Sequence, residues 1–272
     1  MKNLIGLALG GWLSLLTVTP AWAQAKLKIE NVQAAFGAFG PERKVLDIYP
    51  FDSFSFRFTI VGLKTGAGAR VDTAIKLQLT DASGKTFLEN SFPSKGMLYL
   101  GGDSFLAYAN IAMQEQVPEG KITLKITAAD NVSKESASVE RELTGKKGGF
   151  HIVALEFFHD PEGRVPASTH LALGQVLYFR MRVIGFDRSM GKIDTQLALQ
   201  TLDADGKENL PKPLLTVFRQ DDAKVVEKTT FIFFNGSMGM NRAGSFTMRL
   251  TATDQIGHQT SKEEIPLIIS AP

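Results

Sequence analysis

Two stretches decide the fold: Gly120-Lys-Ile-Thr-Leu-Lys-Ile-Thr-Ala-Ala-Asp130 and Gly244-Ser-Phe-Thr-Met-Arg-Leu-Thr-Ala-Thr-Asp254. In both, apolar residues alternate with Thr, Lys, Arg or Ser before a final aspartate. A period of two places successive side chains on opposite faces of a β-strand, one face buried and the other in water. Each stretch therefore predicts a half-buried strand that ends in a turn, once in each half of the chain.

The two halves also align outside these stretches, at an offset of 122 to 124 residues. Phe56–Lys85 and Phe179–Lys207 share 12 identities over 30 positions with one gap. This similarity indicates a tandem duplication of one domain. Two copies are too few and too long for a solenoid, so we expect each copy to fold as a domain of its own.

Other segments of both copies have the same period. Apolar residues alternate at Phe54, Phe56, Phe58 and Ile60 in the first copy, and at Leu177, Phe179, Met181 and Val183 in the second. Turn sequences with glycine follow at Asp81–Gly84 and Asp203–Gly206. No helical stripe is found after the N-terminal segment. We expect about seven strands per copy, two of them within 89–112 and two within 210–236.

The repeated stretch, Gly-x-apolar-Thr-apolar-(Lys/Arg)-apolar-Thr-Ala-x-Asp, resembles the closing hairpin of bacterial immunoglobulin-like and fibronectin-III-like domains. Antibody-type domains differ, because their Cys…Trp…Cys core is absent here. The resemblance implies an all-β fold of two tandem antiparallel immunoglobulin-like β-sandwiches. It implies no catalytic residue, since such folds carry many unrelated functions.

The N-terminus predicts export. Lys2 precedes an apolar run from Leu4 to Val18, and Ala21-Trp22-Ala23 is a small-x-small cleavage site. We expect residues 1–23 to be a signal peptide, 24–145 the first domain, 146–148 a linker and 149–272 the second domain. The expected location is periplasmic, cell-surface or extracellular. A membrane anchor is the alternative interpretation, but the apolar run is shorter than the roughly 20 residues of a span.

Composition excludes several classes of protein. With 44% hydrophobic and 21% charged residues, the chain is neither disordered nor polytopic. A net charge of +2 provides no strong field for nucleic acid. There is no cysteine, so an exported chain must rely on core packing without disulfides. No later apolar stretch is long enough for a transmembrane span of about 20 residues in the mature chain.

Catalytic and metal motifs are weak. There is no Gly-x-Ser-x-Gly elbow, no phosphate-binding glycine loop and no cysteine nucleophile. The four histidines, His151, His159, His170 and His258, lack zinc-ligand spacing. Asp130 and Asp254 are interpreted as turn caps rather than calcium ligands, because only one carboxylate recurs per turn. We therefore predict no enzyme activity, no cofactor and no metal.

Three arginines are the candidate binding residues. Arg57 and Arg180 recur on the predicted polar face of one strand, and Arg182 lies beside them. Such a face could bind acidic glycans or phosphate, or be a solvated face with cross-strand carboxylate partners. Phe157-Phe158 and Phe231–Phe234 break the alternation, so outward phenylalanines are expected at the domain junction or on a partner.

These features predict an exported, non-catalytic protein that binds an envelope or extracellular protein, or has a structural role in the cell envelope. A carbohydrate-binding module that recognises a glycan is one alternative. It is weakened because both tryptophans, Trp12 and Trp22, lie in the signal segment. The other alternative is a periplasmic chaperone that resembles the pilus-assembly type. Such chaperones have dissimilar domains, whereas these two are alike.

Overall fold

The computed structural model describes residues 26–271, so the predicted signal segment lies outside the described residues. Within that range the chain forms two tandem β-sandwiches, each with a three-stranded sheet packed on a five-stranded sheet. The predicted all-β, two-sandwich fold is confirmed. No helix in residues 26–271 has the length and apolar character that a membrane crossing requires.

The first sandwich contains eight strands: β1 (Lys28–Ala35), β2 (Asp47–Ile48), β3 (Ser53–Val61), β4 (Arg70–Asp81), β5 (Thr86–Met97), β6 (Phe105–Ala112), β7 (Gly120–Asp130) and β8 (Ser136–Gly145). The second contains β9 (His151–Phe158), β10 (His170–Ala172), β11 (Val176–Ile184), β12 (Ile193–Leu202), β13 (Leu214–Gln220), β14 (Phe231–Gly239), β15 (Gly244–Asp254) and β16 (Gln259–Ser270). The decisive stretches of the sequence are β7 and β15.

The two sandwiches have the same topology. Their strand orders are β1-β3-β6 with β2-β8-β7-β4-β5, and β9-β11-β14 with β10-β16-β15-β12-β13. Even the register is duplicated, because Thr73 lies opposite Asp130 and Thr195 lies opposite Asp254. The pairing is antiparallel except that β2 runs parallel to β8, and β10 parallel to β16. These two short strands raise the number per copy from the expected seven to eight.

Each sandwich has its own hydrophobic core, built from the predicted alternation. The first core includes Phe54, Phe56, Phe58 and Ile60 of β3, all buried. The second includes Leu177, Phe179, Met181 and Val183 of β11. Phe56 and Phe179 occupy equivalent core positions, as predicted, because the period of two keeps every second side chain between the sheets.

One helix departs from the sequence interpretation. Residues 210–236 contain the two expected strands, but also α1 (Ala223–Lys228) between them. Asp222 caps this helix by accepting a hydrogen bond from the Lys224 N–H at 2.9 Å. A helix of six residues is too short to produce a visible 3.6-residue stripe, which is why periodicity missed it.

The sandwiches meet end to end. The start of β3 in the first sandwich packs against β9 of the second, and Phe36 packs on the second core. The predicted linker begins in an ordered position, because the Lys146 N–H donates to the Ile48 carbonyl at 2.9 Å. We call this contact region the junction, defined by Arg43, Tyr49–Ser53, His151–Glu156, Arg182, Phe231 and Glu263.

Candidate interaction surfaces

The three candidate arginines do not form one binding face. Arg57 lies on β3 of the first sandwich, whereas Arg180 and Arg182 lie on β11 of the second. All three project from the outer face of a three-stranded sheet and are partly exposed. Their surroundings differ, so each is described separately.

Arg57 lies beside an aromatic pair. Its register partner on β6 is Tyr108, whose ring meets Phe39 edge-on with centroids 5.5 Å apart. Within residues 26–271, Arg57 has no hydrogen bond or ion pair through its side chain. Tyr108 and Phe39 are both exposed. A guanidinium beside exposed rings can contact an anionic or hydroxyl-rich ligand.

The Arg180 side chain makes its contacts within the second sandwich. Its Nη2 donates to the Pro161 carbonyl at 2.8 Å, and its guanidinium lies 5.3 Å from the centre of the Phe158 ring. Glu156 is its register partner on β9. Glu156 is thus the cross-strand carboxylate partner expected for an arginine on a solvated strand face. The Arg180 guanidinium, which lies over the Phe158 ring, also explains why this outward-pointing phenylalanine is buried.

Arg182 is a junction residue. Its Nη1 donates to the Phe51 carbonyl of the first sandwich at 2.8 Å. The guanidinium also lies over the rings of Phe231 and Phe233, 5.1 and 5.2 Å from their centres. Phe231 in turn contacts Phe51, with ring centroids 5.2 Å apart. Of the phenylalanines that break the alternation, Phe231 therefore packs at the junction, while Phe233 stays exposed.

A buried carboxylate organises the junction. Asp52 is fully buried, and its Oδ2 lies 2.7 Å from Nη1 of Arg43. Its Oδ1 accepts hydrogen bonds from the N–H groups of Ser53 at 2.8 Å and Ala154 at 3.0 Å. Burial of a charge is costly unless it is paired and hydrogen-bonded, as this one is. Sequence reasoning missed Asp52 and Arg43, because no repeat or period marks them and because one partner of Asp52, Ala154, lies in the other sandwich.

Three further titratable groups at the junction have shifted pKa values. Burial raises the pKa of Glu156, although the Ser53 hydroxyl donates to its carboxylate at 3.2 Å. Burial also raises the pKa of Glu263. Burial lowers the pKa of His151, whose ring packs on Tyr49 with centroids 4.1 Å apart. Nearby Asp47 and Asp52 oppose that decrease. His151 is thus packed at the junction.

Asp130 and Asp254 are turn caps, as predicted. Asp130 accepts from the Val132 N–H at 2.8 Å, and Asp254 from the Ile256 N–H at 3.0 Å. Each aspartate also accepts a hydrogen bond from a second loop. For Asp130 the donor is the Lys64 N–H, at 2.9 Å. Asp254 accepts in the same way from the Asp187 N–H at 2.7 Å. Backbone donors thus occupy these carboxylates, and residues 26–271 contain no group of three or more side chains arranged to hold a metal.

The outer edges of the two five-stranded sheets differ sharply. In the first sandwich, edge strand β5 carries Pro93 opposite Ala74 and Lys95 opposite Asp72. In the second, edge strand β13 has Val217 at the position of Pro93, opposite Gln196. Proline is a common protection against strand addition at a sheet edge, and β13 has none. At the position of Lys95, β13 has Arg219, which pairs with Asp194 as Lys95 pairs with Asp72.

Edge strand β13 is also unusually apolar. Leu214, Leu215 and Val217 are 61%, 59% and 46% exposed. Behind the strand, a cleft of about 460 Å³ opens between the two sheets, lined by Leu214 together with Leu199, Met238, Met240, Phe246 and Leu267. Arg242 lies at this cleft and donates to the Asn209 side chain at 2.7 Å. The strand and the cleft together form a largely apolar surface, which we call the β13 surface.

The fold and these surfaces define a tandem β-sandwich protein with a packed junction and an apolar edge strand at β13. No family model matches the chain, and no curated protein matches it. A red sea bream transglutaminase is similar over 91% of this chain, at 7% identity and a TM-score of 0.28. This chain spans 31% of that transglutaminase chain. A structure named BspA_C_mut is similar over 90% of this chain and 99% of its own, also at 7% identity and a TM-score of 0.28.

Proposed function

We propose that the protein is an exported, non-catalytic binding module that takes an extended segment of a partner protein along β13. The observation that carries this proposal is the exposed apolar edge of β13, which lacks the proline that β5 has at the same position. An edge strand presents a row of unpaired N–H and C=O groups, to which a partner segment can add as a further strand.

The apolar side chains supply the rest of the binding energy. Each large apolar side chain that becomes buried contributes about 1.5–3 kcal/mol. Leu215 and Val217 lie on the outer face of the sheet, while Leu214 lines the cleft. A partner strand with apolar residues at successive positions would cover both sides, because successive side chains point to opposite faces. Main-chain hydrogen bonds would then give affinity, and the cleft would select side chains by size.

The duplication provides an internal control for this interpretation. Both copies have the same sheet order, and β5 and β13 are equivalent edges. Only the first has a proline at the position of Val217. Long apolar edges promote nonspecific pairing and aggregation. An open edge without a role would therefore be selected against.

The test compares Val217→Pro with Ser91→Lys in the mature chain. Val217→Pro gives β13 the proline that β5 has at the same position, whereas Ser91→Lys changes an exposed position on the protected edge. Proteins retained from an envelope extract by the unaltered chain and by Ser91→Lys should be lost from Val217→Pro. The retained partner should also slow hydrogen exchange of the β13 amides.

Two results would contradict the proposal. One is a partner that Val217→Pro still retains at full affinity, and the other is exchange protection elsewhere with none along β13. Sedimentation of the chain alone tests a related outcome. A dimer that Val217→Pro dissociates would make the extended partner a second copy of the same chain.

Carbohydrate binding is the second candidate, and Arg57 beside Tyr108 and Phe39 favours it. Exposed tyrosine rings stack on sugars, and a nearby guanidinium selects acidic ones. A glycan array with the unaltered chain and Tyr108→Ala distinguishes the two functions. Binding of acidic glycans that Tyr108→Ala abolishes would support this candidate instead.

Export is part of the proposal. Cleavage after Ala23 removes both tryptophans, so the exported chain would absorb in the near ultraviolet through tyrosine alone. N-terminal sequencing of envelope material should begin at Gln24. A protein that retains Met1 there would contradict signal cleavage and would support the membrane-anchor alternative.

A further inference from the structure

The loop between β5 and β6 carries the most exposed large apolar side chains in residues 26–271. Tyr99 is 83% exposed and Leu100 is 102% exposed, and they are adjacent at the tip of the loop. Met97, at the end of β5, is 40% exposed beside them. Isolated exposed apolar residues are ordinary on protein surfaces, but a contiguous apolar tip marks an interaction site.

This tip has an ordered backbone. The Gly101 N–H donates to the Leu98 carbonyl at 2.9 Å and closes a turn that contains Tyr99 and Leu100. The Leu98 N–H donates to the Ala69 carbonyl at 3.0 Å, and Leu98 packs against the first core. Gly101 has a φ of 75°, a conformation that glycine adopts without strain. The backbone that carries the two side chains is therefore held by hydrogen bonds, so little backbone entropy is lost when they bind.

Exposed cations lie at the same end of the first sandwich as the tip. Because β4 begins where β5 and β7 end, the surrounding loops lie at one end of the first sandwich, which we call the distal pole. Exposed cations there are Lys26, Lys64, Arg70 and Lys134, and the exposed carboxylates of these loops are Asp103 and Glu135. None of the four cations forms an ion pair within residues 26–271. Their positive charge is therefore available to an anionic surface.

The chain also enters the fold at this pole. The Leu27 N–H donates to the Glu135 carboxylate at 3.3 Å, and Lys28 begins β1 opposite Val61. The residues before 26 include the apolar run from Leu4 to Val18, for which the sequence predicts membrane insertion during export. The distal pole is therefore the part of the folded chain nearest in sequence to that segment, which the predicted cleavage after Ala23 removes from the mature chain.

We infer that the distal pole docks on an anionic lipid bilayer, with Tyr99 and Leu100 inserted at the headgroup level and the cations on the lipid phosphates. Tyrosine suits this depth because its ring is apolar and its hydroxyl remains hydrated. The second sandwich lacks this tip, because α1 occupies the corresponding connection. The contact thus orients the molecule with its first sandwich on the membrane and the β13 surface at the opposite end.

The experiment measures co-sedimentation of the mature chain, Gln24–Pro272, with vesicles. One set contains phosphatidylcholine with phosphatidylglycerol in roughly equal parts, and the other contains phosphatidylcholine alone. Binding to the anionic set should be stronger, and should weaken as salt rises toward ~0.5 M. The double substitution Tyr99→Ser with Leu100→Ser should weaken it about tenfold or more.

The matched control is Val45→Ser with Met190→Ser, which removes two other exposed apolar side chains, 66% and 69% exposed. It should bind anionic vesicles as the unaltered chain does. Because all four positions are exposed, circular dichroism should show the same fold in both double variants. Equal binding of the two double variants, or no binding of the unaltered chain to anionic vesicles, would overturn the inference. Neither outcome bears on β13, which lies in the other sandwich.

Discussion

The carboxylate of Asp52, in the first sandwich, accepts a hydrogen bond of 3.0 Å from the backbone N–H of Ala154 in the second. Ala154 lies in a bulge of β9 with a φ of 52°, a conformation that non-glycine residues adopt at some cost. The bulge turns this N–H toward the first sandwich rather than along the sheet. A buried charged group and an irregular strand thus jointly specify how the two copies meet.

Asp52→Ala is expected to destabilise the joined chain by about 3–5 kcal/mol, because it leaves the Arg43 guanidinium buried without its partner. Urea unfolding of the mature chain measures this. The control is Glu142→Ala, which removes an exposed ion pair with Lys121 and should cost about 1 kcal/mol or less. Equal effects of the two substitutions would show that the junction contributes little to stability.

The halves 24–145 and 149–272 are each expected to fold when expressed alone, because each contains a complete core of its own. Circular dichroism and urea unfolding of each half test this. In the isolated first half the junction face is exposed to water, so Asp52→Ala should cost much less than in the joined chain. A half that shows no cooperative unfolding would contradict independent folding.

Phe56→Ala is expected to cost about 3–5 kcal/mol, since Phe56 is buried in the first core and its loss leaves a cavity. Arg57→Ala should cost under about 0.5 kcal/mol, because its side chain makes no hydrogen bond or ion pair within residues 26–271. Arg182→Ala should fall between them, at about 1–3 kcal/mol, owing to its charged hydrogen bond across the junction. The urea midpoints of the three variants rank their destabilisation. A larger destabilisation by Arg57→Ala than by Phe56→Ala would reverse the assignment of the two faces of β3.

His151→Phe is expected to protect the protein from mild acid. The folded-state pKa of His151 lies below its usual value of 6.5, so the unfolded state binds more protons in the interval between them. Stability therefore falls as pH decreases from above 6.5 through the folded-state pKa. Phenylalanine keeps the contact with Tyr49 and removes the proton. Unfolding free energies between about pH 8 and about pH 5 should decline less in the variant.

Glu156→Gln should change pH dependence in the opposite direction. The folded-state pKa of Glu156 lies above its usual value of 4.5, so the folded state holds the proton more tightly. Its contribution to stability is greatest in acid and falls as pH rises from 4.5 through the folded-state pKa. Glutamine is neutral and can still accept from the Ser53 hydroxyl. In the same pH series, the unfolding free energy of the Glu156→Gln variant should not show this decline. A profile equal to that of the unaltered chain would show that Glu156 is solvated.

Secondary structure was largely predictable because local rules govern it. The alternation at Phe54–Ile60 predicted β3, and the aspartate–glycine turns predicted the hairpins that the structure contains. Asp81 and Asp203 accept backbone hydrogen bonds at these turns, from the N–H groups of Lys85 and Lys207. Such contacts span only a few residues, so their signal lies within one segment. The short helix α1 and the parallel strands β2 and β10 were missed, since few residues carry their pattern.

The candidate site was less predictable. Arg180 and Arg182 have the same strand and the same outward face, and no sequence pattern separates them. Only the packing of Phe51 against Phe231 places Arg182 at the junction and leaves Arg180 with Pro161. Likewise, the apolar residues of β13 have an ordinary strand pattern. Their exposure follows from the position of β13 at the end of the sheet order.

The duplication, the strands and the buried face of each strand follow from the sequence alone, because a period of two places the hydrophobic residues of a strand on one face. Tertiary structure alone decided the buried pair of Arg43 and Asp52, the open edge at Val217 and the exposed tip at Tyr99. The physical reason is the range of the interactions. Alternation acts between neighbours along one strand, whereas burial and edge position depend on segments far apart in the sequence, as the 131 residues between Phe51 and Arg182 show, and only the folded chain brings them together.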